Sequence, residues 1–148
     1  MVSLYCSAIP SRYSADLPGI ERRGNPYAWR DESLLDSYRQ FEHLGLFIDD
    51  KLVAFVLYQC VGAEAEIIHI VCDKAHQGKG YARHLLAQLI ENLRKAGVTT
   101  LFLDVREDNT RARHVYTQLG FITVGRRKNY YGDSSSGRHD ALIQRLRL

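Results

Sequence analysis

The sequence predicts an α/β protein, in detail an α+β mixed sheet flanked by helices. Two features of its pattern and one of its composition point there. Residues 44–48, 52–60 and 66–72 are apolar runs rich in β-branched and aromatic side chains, whereas from Ala82 onward Leu85, Leu86, Leu89, Ile90 and Leu93 recur three and four positions apart. The elements follow one another as helices, antiparallel strands, then β–α–β–α–β–β, the order of a mixed sheet covered by helices. With 148 residues, 45% hydrophobic and 25% charged, the chain is expected to form one domain over residues 1–148.

In chain order, the first third reads as helical. Helix starts are expected at Asp16 and Asp31, each with an acid near the positive end of the helix dipole. Between them residues 24–29, Gly-Asn-Pro-Tyr-Ala-Trp, are rich in turn formers. The strands at 44–48 and 52–60 flank Asp49-Asp50-Lys51, a hairpin turn. The helix that begins near Gly80 should stop at Gly97. Residues 99–105, Thr-Thr-Leu-Phe-Leu-Asp-Val, suit a short buried strand. Asn109 or Asp108 can cap a helix with Ala112, Val115, Tyr116 and Leu119 on its inner face, ending at Gly120. Residues 121–125 and 141–148 read as two strands joined by a polar loop that contains Ser134-Ser-Ser-Gly.

Composition narrows the function classes. No stretch approaches the ~18 consecutive apolar residues of a membrane helix, and the first residues lack a charged start followed by an apolar run, so neither a membrane span nor a secretory signal is expected. The three cysteines, Cys6, Cys60 and Cys72, are odd in number and widely spaced, which fits a reducing, cytoplasmic setting. A net charge of +3 is too weak to imply direct nucleic-acid binding. Its distribution is uneven: residues 1–50 carry five basic and eight acidic side chains, residues 121–148 six basic and two acidic. No Cys-x-x-Cys or His-Glu-x-x-His occurs, and His69 and Cys72, three apart on a strand, face opposite sides, so no metal is expected. No Gly-x-Ser-x-Gly marks a serine hydrolase. Cys72 reads better as a small buried apolar residue than as a nucleophile.

The segment His76-Gln77-Gly78-Lys79-Gly80-Tyr81-Ala82-Arg83 joins an expected strand to an expected helix. Glycine permits φ > 0 and close approach of a ligand to the backbone, and a helix N-terminus offers unpaired N–H groups and about half a positive charge. A phosphate fits such a place, and Lys79 and Arg83 add charge at its rim. A dinucleotide fingerprint would need a third glycine where Arg83 stands, and a Walker loop a serine or threonine where Gly80 stands. The pattern present is Gln77-x-x-Gly80-x-Ala82. Further on, Asp104 lies inside an apolar run, where a carboxylate loses hydration and needs a partner or a purpose. A salt bridge to Arg106, or exposure at the strand end, would satisfy it. Tyr116 on an apolar stripe reads as core, and Asn109 as a helix cap, when either is taken alone.

Taken together, these pieces resemble a GNAT-superfamily acetyltransferase and, within it, the bacterial ribosomal-protein-alanine N-acetyltransferases of the RimI family. The matching stretches are His-Gln-Gly-Lys-Gly-Tyr-Ala-Arg-His-Leu-Leu from His76, the run from Leu103 to Phe121 with Val-Arg-x-x-Asn and Tyr-x-x-Leu-Gly-Phe, and Asn129-Tyr-Tyr followed by Gly137-Arg-x-Asp-Ala. They cover residues 64–148; the first third matches weakly, through residues 17–21 and Ala28-Trp29.

The resemblance implies an acyl-CoA N-acyltransferase fold with a splayed central sheet. Acetyl-CoA would enter that gap as co-substrate. Main-chain groups of Ile70, Val71 and Cys72 would hold its pantetheine and thioester. Gln77, Gly78, Lys79, Gly80, Tyr81, Ala82 and Arg83 would surround the pyrophosphate, and Asn109 would touch the coenzyme. Asp104 falls at the family's general base, and Tyr116 at the acid that protonates the departing thiolate. The sequence departs from the family twice. The usual glutamate is Asp104 here, one methylene shorter, acting directly or through a water. Ala28 replaces the proline that commonly precedes the tryptophan. The implied partner is a protein N-terminus, with a small-subunit ribosomal protein beginning in alanine as the leading substrate, and the implied state is a monomer or weak dimer. A lysine or small-molecule amine acetyltransferase, and a non-catalytic acyl-CoA-binding module, are the alternatives.

Elementary chemistry favours an α-amine. The attacking amine must be neutral, and an N-terminal amine with pKa about 7.7–8.0 loses its proton far more readily than lysine at about 10.4. The gap of roughly 2.5 units makes neutral lysine a few hundred-fold rarer, about 3.5 kcal/mol. Direct transfer then needs positioning, an oxyanion donor such as a main-chain N–H near Val71 or Cys72, and proton transfer.

Overall fold

A computed structural model describes residues 2–133 and 137–148. Along the chain run β1 (Leu4–Ser7), α1 (Leu17–Gly24), α2 (Asp31–Gln40), β2 (Glu42–Ile48), β3 (Lys51–Val61), β4 (Glu64–Cys72), α3 (Tyr81–Lys95), β5 (Thr100–Arg106), α4 (Thr110–Leu119), β6 (Ile122–Asp133) and β7 (Gly137–Arg147), with short 3-10 turns at Ser11–Asp16 and Lys74–His76. The strand order is β1-β2-β3-β4-β5-β7-β6. β4 and β5 run parallel, while β1–β2, β2–β3, β5–β7 and β6–β7 are antiparallel. The chain therefore has the mixed α/β architecture that its pattern predicts. It divides into two compact units, one of Met1–Gln59 with Ile68–Asn92, the other of Cys60–Ile67 with Leu93–Leu148.

In the first unit, Leu17 and Ile20 of α1 and Leu34 of α2 pack with Phe47, Phe55, Leu57 and Val71 of the strands, all almost fully buried. Their helical spacing gives each short helix one apolar side to lay on the sheet. Asp49 and Asp50 both take positive φ, 48° and 64°, in a two-residue hairpin turn between β2 and β3, so Lys51 begins the strand rather than ending the turn. Aspartate tolerates this region, and such a turn matches the twist of the strands.

In the second unit, Leu101, Leu103 and Val105 of β5 are buried, while Thr100, Phe102 and Asp104 between them are partly exposed. The β4–β5 ladder pairs Glu64, Ala65 and Glu66 with Thr100, Leu101 and Phe102.

Two expectations need correction. The first third is not all helical: residues 4–7 pair with β2 as an edge strand, a segment too short to show an alternating pattern. The polar stretch before and after residues 134–136 is not a loop. β6 continues to Asp133 and β7 starts at Gly137, so strand replaces the expected loop on both sides of residues 134–136, and residues 126–130 of β6 are exposed. Ser134, Ser135 and Ser136 lie outside the described residues.

Candidate active site

The glycine segment sits in the first unit, between the end of β4 and the start of α3. Gly78 and Gly80 adopt φ of 77° and 82°, the left-handed region that other residues enter at a cost of about 1–2 kcal/mol. A Cβ at Gly80 would meet nothing within 4 Å; glycine is required there by backbone conformation, and the space beside it is open. Gly78, Lys79, Gly80 and Arg83 are exposed, Tyr81 and Ala82 partly so. The first helical bond of α3 runs from His84 N–H to the Gly80 carbonyl at 3.0 Å, which leaves the amides of the first turn at the mouth of the segment. Open space, left-handed glycines and two exposed cations together fit a diphosphate.

Gln77 is engaged with the backbone. Its Nε2 donates to the carbonyls of Gly24 and Cys72, each at 2.9 Å. It ties the end of α1 to the end of β4 through backbone groups. Gly24 is glycine for the same reason: a Cβ there would stand 2.2 Å from the Cys72 carbonyl oxygen. Val71 and Cys72 are buried and Ile70 is half-buried. The Cys72 thiol donates to the Asp73 carbonyl at 3.6 Å, the contact of a packed thiol rather than an exposed nucleophile. Asp73, 6% exposed in its side chain, receives Arg23 through two bonds of 3.0 and 2.7 Å. The Arg23 guanidinium holds its carboxyl below the usual range, against the opposing effect of burial.

A network absent from the sequence reading lies beside this strand. Glu21 is fully buried. Its Oε1 lies 2.6 Å from His69 Nε2, and its Oε2 accepts from Asn25 Nδ2 at 3.0 Å and from the Trp29 amide at 2.9 Å. Trp29 stacks on the His69 ring with centroids 4.2 Å apart. Burial pushes the Glu21 carboxyl up, but the hydrogen bond and charge of His69, with the donors from Trp29 and Asn25, hold it lower than usual overall. The residues that link α1 to α2 are thereby fastened to β4. The sequence carried a signal for this: a glutamate immediately after Ile20 and four residues after Leu17, on the stripe that α1 buries.

The second unit holds Asp104, Asn109 and Tyr116. Asp104, with a side chain 21% exposed, projects from the partly exposed face of β5 and lies 3.3 Å from Arg127 Nε. Neither a salt bridge to Arg106 nor full exposure accounts for it: its partner is Arg127. Arg106 instead reaches forward to Asp108, at 3.1 and 3.2 Å, while the β6–β7 hairpin brings Arg127 to Asp104. Burial raises the Asp104 carboxyl above its usual range, Arg127 opposes this, and the charge of Glu66 on β4 adds to it. Asn109 takes up the helix-capping role: its side chain accepts from the Ala112 amide at 3.2 Å at the start of α4.

Tyr116, 7% exposed, is the one fully buried member of the expected inner face of α4; Ala112, Val115 and Leu119 are half-buried. Burial, reinforced by Tyr131, raises its phenol far above the ordinary value, so it keeps its proton at every working pH. Tyr131 is pushed up to about 12 by burial and then by the Asp104 charge. The Arg106 guanidinium lies 5.5 Å from its ring centroid. Tyr131 is thus the group through which the charge of Asp104 and the phenol of Tyr116 share an electrostatic environment. It is aimed by an irregularity in β6, where the register shifts between Arg127 and Tyr131 and Asn129 adopts φ 54°. No local pattern in residues 126–131 announces this.

Among the described residues, no group of three or more His, Cys, Asp or Glu side chains could hold a metal ion, and no helix is long and apolar enough to cross a membrane.

Comparison with known proteins adds an independent line. The model of the acetyltransferase (GNAT) family matches residues 9–121. The [ribosomal protein bS18]-alanine N-acetyltransferase of Escherichia coli (strain K12) is 35% identical over 144 residues, covering 95% of this chain and 97% of that protein. The crystal structure of the ribosomal-protein-S18-alanine N-acetyltransferase from Escherichia coli superposes with a TM-score of 0.91 at 32% identity, over 98% of this chain and 94% of that one. A Salmonella typhimurium structure with its cofactor acetyl-CoA shares the fold at a TM-score of 0.79 and 17% identity, over 98% of this chain and 94% of that one.

Proposed function

The chain belongs to the GNAT acetyltransferase family, and on that premise we propose that it transfers acetyl from acetyl-CoA to the N-terminal α-amine of a protein, with the alanine terminus of a small-subunit ribosomal protein as the leading acceptor. The observation that carries this reading is near-full-length similarity, 35% over 95% of the chain, to enzymes named for that acceptor. The 148 residues act as one acetyltransferase domain, and three widely spaced cysteines, Cys6, Cys60 and Cys72, suit work in the cytoplasm.

Acetyl-CoA supplies a thioester carbonyl already activated toward amines. Gly78, Lys79, Gly80, Tyr81, Ala82 and Arg83 hold its diphosphate, with N–H groups and positive charge converging at the start of α3. Gln77 shapes that turn by its bonds to backbone carbonyls. Backbone groups of Ile70, Val71 and Cys72 line the acyl end, and an N–H there donates to the carbonyl oxygen as negative charge develops. Asn109 fixes the start of α4 and with it Tyr116.

The amine attacks directly, and Asp104 removes its proton. Its environment suits this better than its short side chain suggests: a carboxyl raised above the usual range is a stronger base, closer to the α-amine it must deprotonate. Tyr116 donates toward the leaving sulfur. The burial that keeps its proton in place also makes it a weaker acid than an ordinary tyrosine, so it serves the sulfur first as a hydrogen-bond donor and gives up the proton only once full negative charge has developed there.

Mass spectrometry of peptides beginning with alanine, incubated with the protein and acetyl-CoA, tests the reading. Acetyl on the α-amine is the expected product, with lysine side chains in the same peptides left free. Acetylation of lysines alone would move the chain to another branch of the family, and coenzyme binding in calorimetry without turnover on any amine would make it a binding module.

A further inference from the structure

The proton acceptor stands in an unusual electrostatic setting. Glu66 on β4 pairs in parallel register with Phe102 on β5, and Asp104 is two residues further along β5, on the same face. A strand spacing near 4.8 Å and a two-residue rise put the two backbone positions about 8 Å apart, a gap that side chains narrow. Glu66 and Asp104 are both partly buried. From β6, Arg127 meets Asp104 at 3.3 Å, and the Tyr131 phenol interacts with it too. On β7 the residue opposite Asp104 is Ile143, and Arg145, opposite Phe102, is the next charged group on that face. On β5 itself Arg106 is engaged by Asp108.

We propose that Glu66 is a positioning residue for the reaction: from the strand parallel to β5 it opposes the pull of Arg127 on the Asp104 carboxylate and keeps that group ready to accept the proton of the incoming amine. This rests on Asp104 as the base. Burial already raises the Asp104 carboxyl, and Arg127 pulls it back toward a weaker base suited to a salt bridge. A second carboxylate on the neighbouring strand works with burial against that pull, as the smaller of the two effects. Glu66 touches neither substrate nor coenzyme in this account.

Two readouts on the full chain test it. The first is the titration of the Asp104 side-chain carbon by NMR in aspartate-labelled protein, for wild type, Glu66→Gln and Arg127→Gln. With backbone positions about 8 Å apart, two like charges in surroundings between bulk water and an effective dielectric of ~20 interact enough to move a midpoint by roughly half to one and a half pH units. The Asp104 midpoint should fall by that amount in Glu66→Gln, rise in Arg127→Gln, and return toward wild type in Glu66→Asp. The second readout is the acid limb of kcat/KM, which should follow the same shifts. An Asp104 midpoint unmoved in Glu66→Gln overturns the role of Glu66 and leaves Asp104 as base. A midpoint that moves while the acid limb stays put removes Asp104 as base, and the role of Glu66 in the reaction with it.

Discussion

Replacing Glu21 with alanine should be among the most damaging single changes in the first unit. The carboxylate is fully buried and accepts from three groups, His69 Nε2, Asn25 Nδ2 and the Trp29 amide. The His69 side chain is only 10% exposed, so water cannot readily replace the lost acceptor. Buried donors left without partners cost about 1–3 kcal/mol each, and removing one partner of a buried acid–base pair about 3–5 kcal/mol. Since these describe overlapping losses, the expected cost is about 3–5 kcal/mol rather than their sum. For a chain of 148 residues, at about 2–4 °C per kcal/mol, the midpoint of thermal unfolding should fall by roughly 6–20 °C. Glu21→Gln should cost less, because one oxygen still serves Asn25 and Trp29 while the amide turns to His69, which must then accept at Nε2. Thermal unfolding followed by circular dichroism, with urea titration for the free energy, measures both variants. A Glu21→Ala protein within 1 kcal/mol of wild type would refute the claim that this network fastens the α1–α2 connection to β4.

Tyr116→Phe should lower kcat by about 10²–10⁴-fold, the usual contribution of a proton-transfer group, while the coenzyme dissociation constant from calorimetry stays near wild type; unchanged turnover would take Tyr116 out of the mechanism. Gly80→Ala meets no steric obstacle, so its penalty is the left-handed backbone alone, about 1–2 kcal/mol, and coenzyme binding should weaken about 5–30-fold as the turn relaxes; tight binding in a titration would show that the turn does not shape the diphosphate site. Because Arg23 lowers the Asp73 carboxyl in the folded state, that pair stabilises the fold above the unfolded-state value near 3.9, and the contribution is lost as pH falls through the lower folded value. The stability difference between wild type and Asp73→Asn should therefore shrink on acidification from pH 5 to pH 2; a difference constant across that range would mean that Arg23 does not stabilise the ionised Asp73.

What could be read from the sequence was what local rules dictate. The α3 stripe, its stop at Gly97 and the glycine segment are fixed by helical spacing and by backbone angles that only glycine adopts cheaply, so each was placed within a residue or two. Asn109 likewise caps α4 by a bond to an amide three residues on. The β6–β7 hairpin escaped because its outer half is held by polar cross-strand contacts. Arg126 bonds both Glu107 and Asp140, and the Asn129 amide bonds Asp140; no alternation of apolar residues marks such strands. The setting of Asp104 was illegible for the same reason, since Arg127, Tyr131 and Glu66 reach it only through strand pairing. The resemblance supplied the base itself, but only the fold shows why an aspartate can take that place.

The most direct test of acetyl transfer to a protein N-terminus is to incubate the protein with acetyl-CoA and total ribosomal proteins, then locate the new acetyl group by N-terminal peptide mapping. The account predicts one dominant modification, on the α-amine of an alanine-starting small-subunit protein. Acetyl groups found only on lysine side chains, or none at all, would contradict it.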